Sequence, residues 1–177
     1  MCNNPYVLPV KRLGNEKNPR LVILLCNPGG DPRWPCRLPE YAMRADRVYK
    51  DAGMLLDSLQ EYNSWWDDFF GVFQKHNIKP SEVLLLEYYP YHTVASGDFS
   101  HNPQKWYDTY ACNALDENVA ILRQQMMRGI PIFGYYYGDW VRAISELKDY
   151  QTFHKSHGRW KKQKIKELDA FLSKGIN

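Results

Sequence analysis

The chain has 177 residues, of which 44% are hydrophobic and 24% charged; this is the balance of an ordinary globular domain, with room for one core and not for two. Met1 to Arg20 is broken by Asn3, Asn4, Lys11, Arg12 and Glu16, which excludes an apolar signal segment, and no run is long enough to span a bilayer. The net charge of +3 is unevenly spread: His154 to Asn177 carries +5 and the rest of the chain −2.

Cys2, Cys26, Cys36 and Cys112 form no C-x-x-C pair, so neither a metal site nor any other cofactor is expected, and Cys26 reads as a small hydrophobe in an apolar run. We expect a soluble intracellular monomer, cytoplasmic or associated with the nucleoid or nucleus. Aromatic residues reach 15%, with 13 tyrosines and 6 tryptophans. They either fill a core with large side chains or form a surface that stacks on rings; composition alone favours the core.

Four apolar runs read as strands in chain order. They are Arg20–Cys26, Val83–Glu87, Ile130–Tyr137 and the short Tyr150–Phe153. The runs do not alternate with polar residues, as expected of strands buried on both faces of a parallel sheet. Helical spacing appears between them, over Arg47–Tyr62, Trp65–His76, Tyr107–Arg128, Trp140–Leu147 and Lys164–Leu172. Asp139 is placed to cap the fourth helix, and Ile165, Leu168, Phe171 and Leu172 share the inward face of the last. Alternating strands and helices predict one α/β domain over residues 1–177.

Ligands of such sheets bind beyond the carboxyl ends of the strands, which directs attention to Asn27–Trp34, Glu87–Thr93, Gly138–Asp139 and His154–Trp160. The unusual residues collect there. Leu25-Cys26-Asn27-Pro28-Gly29 follows the first strand, Val83-Leu84-Leu85-Leu86 ends in a polar Glu87, the third strand ends in Tyr137-Gly138, and His154-Lys155-Ser156-His157 follows the fourth. Each is also readable as an ordinary turn or strand end.

In this order the pieces resemble the uracil-DNA glycosylase superfamily from about Leu21 to Leu172. The first motif is closest to the G-I-N-P-G form of the mismatch-specific, thymine-DNA glycosylase branch. Val83–Glu87 is similar to the family's V-L-L-L-N strand, Tyr137-Gly138 to its W-G ending, and His154 and Ser156 to two positions of its H-P-S-P-L-S motif. The resemblance implies a three-layer α/β/α sandwich with a short four-stranded parallel sheet in the order 2-1-3-4. It also implies a monofunctional DNA glycosylase that hydrolyses the N-glycosidic bond of a flipped uracil, mismatched pyrimidine or modified cytosine.

By that resemblance Asn27 orients the attacking water and His154 donates to the pyrimidine O2 as negative charge develops there. Cys26, Gly29, Glu87 and Tyr88 line the base site, with Gly29 leaving room where a tyrosine would exclude C5 substituents. Glu87 departs from the family's asparagine. A carboxylate only accepts, which repels O4 of uracil and favours the exocyclic amine of a cytosine-like base, unless it is protonated and donates as well. Lys155, Ser156, Lys161 and Lys162 suit phosphates, Arg159 and Trp160 a wedge into the duplex, and Trp34, Tyr88 or Tyr89 a stacking surface or the core. His92 and His101 are unranked candidates, and Trp106 heads a helix in the family's order.

Two other classes stay open. One is a glycosylase fold that grips DNA or a modified base without cleaving it, which Glu87 and the divergent His154 motif favour. The other is a nucleotide-binding α/β protein. It wants a glycine-rich phosphate loop, and Asn27-Pro28-Gly29-Gly30-Asp31-Pro32 supplies an acidic residue and two prolines instead.

Overall fold

The computed structural model describes residues 12–26, 67–88 and 114–175. The sheet contains β1 (Arg12–Gly14), β2 (Leu21–Leu25), β3 (Val83–Glu87), β4 (Ile132–Gly134) and β5 (Phe153–Lys155), in the spatial order β1-β3-β2-β4-β5. Strands β2 to β5 are mutually parallel and form the expected 2-1-3-4 arrangement, with Leu25 opposite Glu87, Leu24 opposite Gly134 and Gly134 opposite Lys155. No apolar run marks β1, which lies antiparallel on the outer side of β3, pairing Arg12 with Leu86 and Gly14 with Leu84. Three residues, Arg-Leu-Gly, carry no hydrophobic period of their own. They form a strand by satisfying the backbone of an otherwise open edge.

Helices α1 (Asp67–Lys75), α2 (Ala114–Met127), α3 (Gly138–Ala143) and α4 (Lys161–Ser173) cover the sheet, with 3-10 turns at Pro80–Glu82 and Ser145–Asp149. Side chains alternate along each strand, so each strand feeds both layers. On one face Leu21, Ile23, Leu25, Val83, Leu85 and Phe133 pack with Phe69, Phe70 and Phe73 of α1 and with Leu168 and Leu172 of α4. On the other, Val22, Leu24, Leu84, Leu86 and Ile132 meet Leu122 of α2, Trp140 of α3, Ile144 and Leu147. Fully burying one such side chain contributes about 1.5–3 kcal/mol. The continuous apolar runs are explained by this two-sided demand.

Helix ends follow local chemistry. Asp67 and Asp68 occupy the positive end of α1. Asn77 closes it at φ 52°, with Ile78 N–H donating to Phe73 O at 2.9 Å and Asn77 N–H to Gln74 O at 3.1 Å. Gly129, at φ 74°, ends α2 in the same way through Ile130 N–H to Gln125 O.

Four expectations are corrected. Asp139 is not a cap: it lies inside α3, whose N-cap is Tyr137, and its carboxylate pairs with Arg142 one turn on. The pattern read as one helix over Trp140–Leu147 is split at Ile144, which takes an extended conformation (φ −129°, ψ 90°) between α3 and the 3-10 turn. The last strand begins at Phe153, because Tyr150 is held outside it by its hydroxyl, which donates to Ile130 O at 2.9 Å. Helix α4 also starts three residues earlier than its apolar stripe, since Gln163 Oε1 accepts from the N–H groups of Arg159 (2.8 Å) and Trp160 (3.2 Å). The proposed helix Arg47–Tyr62 and the candidates Asn27, Gly29, Trp34, Tyr89, His92, His101 and Trp106 lie outside the described residues.

Candidate functional site

The carboxyl edge of the parallel sheet brings Cys26, Glu87, Tyr88, Tyr135, Tyr136 and Ser156 to one level. Leu25 pairs with Glu87 and Gly134 with Lys155, and Ser156 N–H donates to Gly134 O at 3.1 Å, which seats it at the end of β5. The Leu25 carbonyl pins the edge together. It accepts from Tyr88 N–H at 3.2 Å and from Trp140 Nε1–H at 2.8 Å, and the Tyr88 ring meets Trp140 edge-on at 5.3 Å.

Glu87 is the chemically exceptional group. It ends a strand whose other four residues are all buried hydrocarbons, and by alternation it faces the same layer as Val83 and Leu85. It is 4% exposed, and its Oε2 has no hydrogen-bond partner among the described residues. Burial pushes its carboxyl well above the usual carboxylate range. The neutral acid presents one O–H donor and one carbonyl acceptor. The backbone beneath it is fixed, because Asn118 Nδ2 donates to Glu87 O at 2.9 Å.

Around it the edge is poor in mobile charge. Burial, and after it the Asp139 carboxylate, pushes the Cys26 thiol up to about 12, so Cys26 lines the site as a protonated thiol and is no nucleophile. Burial likewise raises the phenols of Tyr88 and Tyr136.

Lys164 was not singled out by sequence reasoning. It sits in the first turn of α4 and is 7% exposed. Its Nζ donates to Tyr135 O at 2.6 Å and lies 3.6 Å from the Tyr136 ring centroid and 4.4 Å from that of Tyr135. Burial lowers its amine to about 8, against the opposing pull of Glu167 and Cys26. A signal was present: Lys164, Leu168 and Leu172 are spaced by four, so the lysine heads the apolar stripe of its own helix.

His154 stands elsewhere. It is the middle residue of β5, paired with Phe133, and its ring lies nearly parallel to those of Phe133 (5.4 Å, 13°) and Phe171 (5.3 Å, 25°), which are themselves 6.0 Å apart, so the three rings form one cluster. His154 Nε2 is buried without a hydrogen bond among the described residues, 3.9 Å from Glu167 Oε2. Burial lowers its basicity, opposed by Glu167, so the ring is neutral near pH 7. Three interstrand spacings, roughly 14 Å, separate its strand from that of Glu87, and it lies two residues short of the edge. The strand-end place assigned to His154 belongs to Ser156, whose Oγ is buried and has no partner among the described residues.

The basic segment leaves the edge of β5 and runs into α4. Lys155 lies 6.0 Å from the Phe153 ring centroid, Arg159 5.7 Å from that of Trp160, and the Trp160 side chain is 66% exposed. Lys162 is exposed, whereas Lys161 is tied to Asp68 of α1 at 2.7 Å. Gly158 crosses the start of α4 so closely that a Cβ there would lie 2.7 Å from Lys164 N and 2.9 Å from Gln163 Cβ. Among the described residues no three His, Cys, Asp or Glu side chains are placed to hold a metal, and no helix is long and apolar enough to cross a membrane.

No protein-family model, curated protein or solved structure matches this chain.

Proposed function

We propose that this chain is a DNA glycosylase-like domain that binds DNA, draws one pyrimidine out of the stack and reads it against Glu87 at the carboxyl edge of its sheet. The observation that carries this reading is Glu87 itself: a buried carboxyl group with one oxygen unpaired among the described residues, ending an inner strand of a 2-1-3-4 parallel sheet. An unsatisfied buried polar group costs about 1–3 kcal/mol, and a ligand edge that pairs with it recovers that loss. Protonated Glu87 no longer repels O4 of uracil. It accepts from N3–H and donates to O4, and by exchanging the roles of its oxygens it also meets N3 and the amine of a cytosine-like base.

Outside the site, Arg159, Lys162 and the exposed Trp160 supply a cationic and stacking surface at the strand end, as extrusion of a base requires. Hydrolysis falls to Asn27, which orients water without deprotonating it, so the enzyme is slow. His154 takes no part in this version, because it lies two residues short of the strand ends with its ring clustered against Phe133 and Phe171.

That packing also favours a second reading, a base-binding protein that does not cleave. One experiment tests both. Oligonucleotide duplexes carrying uracil, thymine, cytosine or modified cytosine opposite guanine are incubated with the protein, then treated with alkali to reveal abasic sites, while affinity is measured against salt. We expect cleavage of at least one substrate and affinity that falls steeply as salt rises. Salt-dependent binding without base release selects the second reading, and absence of binding rejects both.

A further inference from the structure

We propose that Lys164 is a Schiff-base-forming amine, giving the site a strand-nicking activity on the aldehyde of an abasic deoxyribose. This rests on the DNA reading above and goes beyond base release.

The geometry is that of an activated lysine. A buried ammonium normally demands a carboxylate partner, yet among the described residues no carboxylate lies within 4 Å of Lys164 Nζ. Its surroundings are one carbonyl oxygen and two tyrosine faces. Lys164 also stands in the first turn of α4, which contains no acidic residue, and that end of a helix disfavours a cation. Desolvation is one way a lysine is made nucleophilic near neutral pH, and burial lowers this amine to about 8 against the pull of Glu167 and Cys26. The bond to Tyr135 O uses one N–H and leaves the lone pair of the neutral amine for attack. Tyr136, exposed on its outer side, covers the amine and must turn aside to admit a substrate.

A stability argument points the same way. Lys164 heads a stripe continued by Leu168 and Leu172 in the hydrophobic core, where methionine fills a similar volume without a desolvation penalty. An amine at that place carries a desolvation cost that a hydrocarbon would not.

The step balances without a redox partner. The neutral Nζ attacks C1′ of the open-chain aldehyde, and the carbinolamine loses water to give the imine. A proton leaves C2′ to solvent, the C3′–O bond breaks with departure of the 3′ phosphate, and water hydrolyses the imine to return the amine.

The test uses the full chain and a duplex with a preformed abasic site, so that base release is not required. Borohydride is added to trap any imine, and binding to the same duplex is measured separately by fluorescence anisotropy. We expect a covalent protein–DNA adduct that maps to the peptide containing Lys164, persists in a Lys148→Ala control, whose exposed lysine lies in the 3-10 turn away from the site, and falls at least tenfold in Lys164→Met. A melting curve for Lys164→Met at or above that of the wild type confirms that it folds, and the peptide map of the wild-type adduct decides the site if it does not. Binding without an adduct, or an adduct on another lysine, overturns the proposal and leaves the DNA reading standing. Failure to bind the abasic duplex overturns both.

Discussion

Replacing Glu87 by glutamine keeps the shape of the side chain and removes its ability to ionise. In the native protein burial raises the Glu87 carboxyl, whereas in the unfolded chain it titrates near an ordinary value of about 4.3. Above that value the folded protein holds a proton that the unfolded chain has released. Stability is therefore fully present below about pH 4.3 and is lost as pH rises towards the raised native value. The loss is about 1.4 kcal/mol per pH unit, or at most about 4 kcal/mol by pH 7 if the carboxyl stays protonated throughout. Against a total stability of about 5–15 kcal/mol this is large. Urea unfolding followed by tryptophan fluorescence, at intervals from pH 5 to pH 8, gives the free energy for both proteins. Subtraction cancels every group the two share. The expected difference favours Glu87→Gln and grows with pH. Parallel pH profiles would show that Glu87 is ionised or partnered in the fold, and the neutral donor–acceptor reading of the site would be refuted.

Two further substitutions test the placement of other groups. His154→Phe should keep a ring in the cluster with Phe133 and Phe171 and remove the loss of stability expected as pH falls below about 6.5, where the unfolded histidine takes up a proton more readily than the buried one. Base release should survive within a few-fold, and a drop of about 10² or more would return His154 to the role of leaving-base donor. Trp140→Phe keeps a ring against Tyr88 but deletes the Nε1–H bond to Leu25 O. Chemical denaturation should show a cost of about 1–3 kcal/mol, with affinity for the base weakened because that carbonyl ties β2, β3 and α3 together; an unchanged midpoint would mean that water replaces the bond without penalty.

The central sheet was legible because two-sided burial writes itself into composition. Val83–Glu87 has the same bounds in sequence and structure, and Arg20–Cys26 differs from β2 by one residue at each end. Both runs are unbroken hydrocarbon, so no competing period exists. The edges were harder. The run Ile130–Tyr137 shrinks to Ile132–Gly134 because its aromatic tail belongs to the site, with Lys164 resting on Tyr135 and Tyr136. In β5 the polar residues His154 and Lys155 continue a strand that an apolar criterion ends at Phe153.

The site divides in the same manner. Glu87 stood out as a charge ending an apolar strand, and its burial gives that signal its chemistry. Lys164 was lost in a segment with six other basic residues, since charge counts treat every lysine alike. Only its position on the α4 stripe distinguishes it, and that position depends on where the helix begins. Gln163, which fixes the beginning by a side-chain bond, carries no apolar signal.

The crossing at Gly158 fixes where the basic loop meets α4. With no side chain at Gly158 to hold the two apart, the loop lies close against the backbone of Lys164, while Trp160, the N-cap of α4, is tied to the same turn by Lys164 N–H donating to Trp160 O at 3.1 Å. The exposed ring and the buried amine therefore sit on one helical turn, and the missing side chain is what lets the loop close over it.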